Sequence, residues 1–363
     1  MNKFSIFFIL LCVYYFFIPI SFLFNNFFSL NKNFTNEVFY INYFFHIIAD
    51  YIKYNFFSII LLIIIFYFLH KIFFLSKKNK QIKIHYLTYD FIIIICIFFL
   101  LKDLFFLLKN YFQNEYLNRT LIFYEFLNFR KTHVNILIIF SVINFKDNKF
   151  LSYLSYFFIF LYAILSLSRI DLLILFACHF MTNISINKKN IHKIILISTL
   201  IIFFIIYYRF AITKNDFIVI FAEPLHLMIS SIIFFENLLS LSFHDYIFQN
   251  IYFFLKDFFY FPIHINNYFI SSFSQIPTYS IRGIDSLICF PIVFVIYFFI
   301  LRLLINNFYI NKFFLNCIFV YLLISLFRGN FVHNLNFTIK LYLLIIFLSW
   351  FIQKMQQLRS KVV

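Results

Sequence analysis

Apolar runs close to the length that crosses a bilayer recur along this chain, and that repetition constrains its fold more than any other feature. Phe56–Leu75 is one such run, with Lys71 in its last turn and Lys77, Lys78, Lys80 and Lys83 just beyond it. About 20 apolar residues in a helix cover the hydrocarbon layer, where the backbone must satisfy its own hydrogen bonds. With 64% hydrophobic and 12% charged residues among 363, the chain carries more apolar surface than a soluble core can hide. The expected fold class is all-α, a polytopic integral membrane protein.

The lysine cluster after Phe56–Leu75 assigns that end to the cytoplasmic side. On this frame the runs Phe4–Phe24, Phe56–Leu75, Tyr89–Leu108, Val134–Phe145, Phe150–Leu167, Leu172–Ile186, Ile194–Tyr208, Leu287–Asn306, Phe313–Phe327 and Leu335–Ile352 alternate in direction. That makes about ten transmembrane helices with both termini inside. Phe4–Phe24 is too long for a signal-peptide core and has no small-residue cleavage site, so it is expected to stay as the first span. Pro291 predicts a kink within Leu287–Asn306. Ser168-Arg169-Ile170-Asp171 reads as a tight polar turn between two spans.

Residues 1–363 read as a single polytopic membrane domain made of an N-terminal helix block, 1–208, a large periplasmic or interfacial segment, 209–285, and a C-terminal helix block, 286–363. The central segment mixes apolar runs with charge. Phe217–Phe235 is long enough to cross but holds Glu223, Pro224 and His226. A full crossing there would turn the basic C-terminal tail outward, so a re-entrant or interfacial helix pair fits better. Tyr246–Phe261 is expected to lie on the membrane surface as an amphipathic helix, and Ser271 to Gly283 to form an irregular loop.

Several function classes drop out. The net charge of +16 sits largely in short loops between spans, and no basic soluble domain is present to bind nucleic acid. Cys12, Cys96, Cys178, Cys289 and Cys317 lie singly in apolar runs, which indicates neither a metal site nor a disulfide framework. No cofactor motif is evident. The 65 Phe, beside only two Gly, match AT-rich codon usage and are not evidence of an aromatic binding site.

The arginines point to chemistry. Under this topology the cytoplasmic side holds many Lys but only Arg302 and Arg359, whereas Arg119, Arg130, Arg169, Arg209, Arg282 and Arg328 face outward. Lysine suffices for orientation, while a guanidinium grips phosphate with two parallel bonds and keeps its charge when partly desolvated. Arg169, Arg209, Arg282 and Arg328, at outer span ends, therefore form a candidate diphosphate site. The plainer reading is that each snorkels to headgroups or pairs locally, as Arg169 could with Asp171.

Glu223, beside Pro224 in an apolar run, is costly at membrane depth unless paired or functional. It could orient an acceptor, or simply pair with an arginine such as Arg209. His226, His244, His264 and His333 are external on the same frame, and an imidazole titrating near neutrality suits a general base. His333 leads, because it follows Arg328 at the same membrane face. The candidate catalytic set is Arg209, Glu223, Arg282 and His333.

Three short stretches bear a resemblance: Leu167-Ser168-Arg169-Ile170-Asp171-Leu172-Leu173; Tyr208-Arg209-Phe210 followed by Phe221-Ala222-Glu223-Pro224-Leu225; and Ser325-Leu326-Phe327-Arg328-Gly329-Asn330-Phe331 before a final span. In these and in layout the chain resembles the O-antigen polymerases, bacterial inner-membrane enzymes that join oligosaccharide repeat units on undecaprenyl diphosphate. The resemblance implies a GT-C-like membrane glycosyltransferase acting without metal or cofactor at the periplasmic face. Its partners would be the lipid-linked oligosaccharide, the bilayer, a chain-length regulator and a flippase. The chain departs from the family in a central segment more apolar than a large periplasmic loop. No D-x-D motif supports a soluble, metal-using glycosyltransferase. Two alternatives remain at this point: a ligase that moves the finished glycan to lipid A core, and a lipid-linked oligosaccharide flippase or other transporter, which should carry charges through both leaflets.

Overall fold

The computed structural model describes residues 3–17, 56–75, 86–112, 132–166, 169–183, 242–259, 283–308, 310–328 and 331–362. Regular structure among the described residues is entirely helical. In chain order the helices are α1 (Lys3–Cys12), which widens into a π-helical turn over Val13–Phe17, α2 (Phe56–Leu75), α3 (Tyr86–Phe112), α4 (Thr132–Asn144), α5 (Lys149–Leu165), α6 (Arg169–Asn183), α7 (Phe243–Phe259), α8 (Gly283–Cys289), α9 (Pro291–Asn307), α10 (Lys312–Phe327) and α11 (Phe331–Val362). The runs expected at Ile194–Tyr208 and Phe217–Phe235, and the loop from Ser271, lie outside the described residues.

Three of these helices are long and apolar enough to cross a membrane: α2, Thr88–Lys109 of α3 and Phe331–Met355 of α11. A fourth joins them if α8 and α9 count as one bent span. Their surfaces agree with a lipid solvent. Along α3, Ile93, Leu100, Leu104 and Leu107 share a buried face at helical spacing, while Phe91, Ile94, Phe98 and Phe105 stand exposed on the other. An all-α membrane protein accounts for this; a water-soluble helix would turn charge, not phenylalanine, outward. α10 goes further, with every residue from Phe314 to Phe327 buried, as befits a helix that is apolar all round.

The chain forms two compact units: unit 1 is Met1–Asn79, Asp216–Asn307 and Leu322–Tyr342, and unit 2 is Lys80–Asn215, Phe308–Tyr321 and Leu343–Val363. In unit 2 polar side chains pin helix to helix. Asp90 of α3 accepts from Asn144 at 2.6 Å and from Asn148 at 3.4 Å, and Asn148 also caps α5 by accepting from the Leu151 amide at 3.1 Å. Asp103 of α3 lies 2.8 Å from His133 of α4. Asn311 caps α10 through the Phe314 amide at 2.6 Å and donates to the Tyr89 hydroxyl at 3.1 Å. The stretch expected to be a tight turn at Ser168–Asp171 is partly helix: Arg169 opens α6, and Asp171 sits buried in its first turn.

In unit 1 the organising feature is the break at Pro291. A kink within one span was expected; α8 and α9 instead meet at 110°. Proline is well placed as the first residue of α9, where its missing N–H would have no helical partner anyway. The break strands the last carbonyls of α8, and α7 takes them up. The Tyr246 hydroxyl donates to the Ile288 carbonyl at 2.5 Å, and the Asn250 amide donates to the Cys289 carbonyl at 3.1 Å. Asn250 is fully buried. Asn250→Leu should therefore leave a buried carbonyl bare and cost about 1–3 kcal/mol, read as a lower thermal unfolding midpoint in detergent. A midpoint equal to wild type would show that α7 does not cap α8.

The helix expected over Tyr246–Phe261 is present as α7, and these contacts define its packed face. Tyr246, Asn250, Phe253 and Asp257 recur at helical spacing and face protein, with Asn250 and Asp257 buried. Phe243, His244, Phe248, Ile251 and Phe259 are exposed. α7 is thus two-faced, one side packed on protein and the other lined by exposed aromatic and aliphatic side chains.

Candidate functional site

Asp257, in the last turn of α7, is the centre of the densest polar cluster among the described residues of unit 1. Its carboxylate is 5% exposed, and burying such a charge costs several kcal/mol unless partners compensate it. They come from two other helices. His333 Nδ1 lies 2.5 Å from Oδ1, the Tyr297 hydroxyl of α9 donates to Oδ2 at 3.1 Å, and the Asn336 amide donates to the same Oδ2 at 2.8 Å.

The backbone of Asp257 is held as well. Its carbonyl falls among the last four of α7, which have no partner within the helix. Asn336 and Lys340 both donate to it at 2.8 Å. His333, Asn336 and Lys340 occupy positions i, i+3 and i+7 of α11 and so form one stripe. From His333 to Lys340 the helix rises about 10 Å. The long Lys340 side chain closes that gap toward the helix N-terminus, and its ammonium lies 5.8 Å from the centre of the Phe258 ring. A cation at the C-terminal end of α7 also complements its dipole.

His333 is the third residue of α11 and its side chain is 39% exposed, against 5% for Asp257. An imidazole at the rim, backed by a buried carboxylate, can exchange a proton with a bound group while its other nitrogen is held. Arg328 follows the last residue of α10 and is half-buried, its amide donating to the Ile324 carbonyl at 3.1 Å.

α8 is locked against the same junction. Gly283 lies so close to α10 that a Cβ there would overlap the Ser325 carbonyl oxygen. Ser286, buried, donates to the Gly283 carbonyl at 2.6 Å and accepts from the Val332 amide at 3.4 Å, satisfying one of the orphan donors at the start of α11. The end of α10, the start of α11 and the residue after Arg282 thus meet at one place.

Of the residues singled out by sequence, Arg328 and His333 flank this junction. Arg169 belongs to unit 2, where it opens α6; its side chain, and with it the pairing with Asp171, lies outside what is described. Arg209, Glu223 and Arg282 lie outside the described residues, as do His226 and His264. His244 is exposed near the start of α7. Sequence reasoning missed Asp257, Tyr297, Asn336 and Lys340. The stripe on α11 was a usable signal, since three polar residues at i, i+3 and i+7 in a span seek a common partner. Among the described residues no group of three or more His, Cys, Asp or Glu converges as metal ligands.

Comparison with protein-family models, with curated proteins and with solved structures finds no match to this chain.

Proposed function

We propose that this protein polymerises oligosaccharide repeat units carried on undecaprenyl diphosphate, at the outer face of a bacterial inner membrane. About ten spans would hold the site there, with the basic loops inside. The observation that carries the reading is the packing of α8, which follows Arg282, against the end of α10 and the start of α11, the helix ends that carry Arg328 and His333.

The residues suit the reaction. The growing glycan leaves its lipid diphosphate as a sugar hydroxyl of a second unit attacks the anomeric carbon. Guanidiniums set in a water-poor site, Arg328 with Arg282, would stabilise the charge that develops on the departing diphosphate. His333 would take the proton of the attacking hydroxyl. Glu223 would orient the acceptor. The same constellation would serve a ligase that hands glycan to lipid A core, and the two differ in the acceptor alone.

Reporter fusions and glycan ladders test this together. Fusions after Lys80, Lys189 and Lys361 should report cytoplasm, and fusions after Arg119 and Gln275 should report periplasm. A strain lacking the protein should show single repeat units, and the wild-type gene should restore the ladder. Arg282→Lys, made at normal level, should restore little, because a point charge does not reproduce two parallel bonds to a diphosphate. A cytoplasmic Gln275, or a ladder indifferent to the gene, would end this reading.

A further inference from the structure

We infer that Asp257 is the positioning residue of this site: it holds the His333 ring by Nδ1 and so leaves Nε2 as the nitrogen that receives the acceptor's proton. The inference rests on the polymerase reading for the identity of the acceptor, a sugar hydroxyl, and on the geometry of unit 1 for everything else.

The argument begins with the capacity of the carboxylate. Oδ2 accepts from Tyr297 and Asn336, which fixes the plane of the group, and Oδ1 is presented to His333 Nδ1. An ionised carboxylate only accepts, so the proton between them belongs to Nδ1, and the ring's lone pair is then on Nε2. The backbone of Asp257 is anchored by the Asn336 and Lys340 donors, so the carboxylate is located by four side chains, on α9 and α11, before any substrate arrives. Lys340 sets its ammonium on the Asp257 carbonyl at 2.8 Å, so a positive charge accompanies the carboxylate in the cluster. The charged and titratable groups contacting Asp257 in this cluster are His333 and Lys340 of α11 and Tyr297 of α9.

In the transfer step the acceptor O–H proton passes to Nε2 of His333 as the oxygen bonds to the anomeric carbon. The anomeric C–O bond to the diphosphate breaks, and its electron pair leaves on the diphosphate oxygen. Asp257 touches none of the reacting atoms. It keeps the ring in one tautomer and one orientation, and it faces the imidazolium when that forms.

The test uses the full chain in lipid nanodiscs with ring-15N histidine, His333 being assigned by its loss in His333→Gln. Wild type should carry the His333 proton on Nδ1. Asp257→Asn presents an amide N–H to that nitrogen and should move the proton to Nε2, whereas Asp257→Glu should return it to Nδ1. Glycan ladders should follow. Asp257→Asn should lose about 100-fold or more of polymer at normal abundance, and Asp257→Glu should recover part of it.

A wild-type His333 protonated on Nε2, or on both nitrogens, overturns the inference without recourse to any variant. So does an Asp257→Asn protein, present at normal level, whose ladder matches wild type. Should the ladder prove indifferent to the gene itself, the polymerase reading fails, and the His333 tautomer in wild type and Asp257→Asn then decides by itself whether Asp257 positions the ring.

Discussion

Gly283→Ala should unfold or block assembly of unit 1 while leaving the chain's other helices to form. The added Cβ has nowhere to go: it would overlap the Ser325 carbonyl oxygen and crowd the Ser325 and Leu326 carbonyl carbons. Overpacking a core commonly costs about 1–3 kcal/mol, and the lower part of that range applies where a side-chain end can swing away. Here the obstacle is the backbone of α10, a helix buried on every side, so the strain must move a whole element. The expected loss is therefore at or above the top of that range. It should appear as low abundance in membranes and a markedly lower unfolding midpoint for whatever is extracted. Moving α8 would also withdraw Ser286 from the Val332 amide at the start of α11. A Gly283→Ala protein with wild-type abundance and midpoint would mean that α8 and α10 do not approach as described.

The elements were legible because the bilayer leaves a chain few choices. Phe56–Leu75 was bounded by composition alone, and α4, α5 and α10 begin and end within a few residues of the runs Val134–Phe145, Phe150–Leu167 and Phe313–Phe327. Facing was harder to read. The spacing of Tyr246, Asn250, Phe253 and Asp257 says that they share a side of α7, but not whether that side meets water or protein. The angle at Pro291 was also hidden, because proline marks where a helix can break while the size of the break depends on donors elsewhere, in this case Tyr246 and Asn250.

The cluster around Asp257 was the least legible part. It joins positions 257, 297 and 333–340, and no local pattern announces contacts of that sequence separation. Its histidine could still be found, because His333 trails Arg328 at a span end where chemistry was already expected. Gly283 was expected to end an irregular loop and instead opens α8 where two backbones touch; its rarity, one of two glycines in the chain, was a signal left unused.

The largest effect on activity is expected at His333. Glutamine there keeps similar length and can still donate an N–H to Asp257, so the buried carboxylate retains a partner and α11 its stripe. It cannot accept a proton at neutral pH. If His333 takes the acceptor's proton, His333→Gln should cut polymer formation about 10²–10⁴-fold while abundance and unfolding midpoint stay near wild type. Diphosphate binding should survive, since the arginines are untouched, so the lipid-linked substrate should still protect the variant against thermal unfolding. Arg328→Lys should behave in the opposite way, weakening that protection because a single ammonium replaces a planar fork. The pair of variants separates proton transfer from diphosphate grip. A His333→Gln protein at normal abundance that builds a full ladder would remove His333 from the chemistry, and the role of Asp257 would then be confined to holding α7, α9 and α11 together.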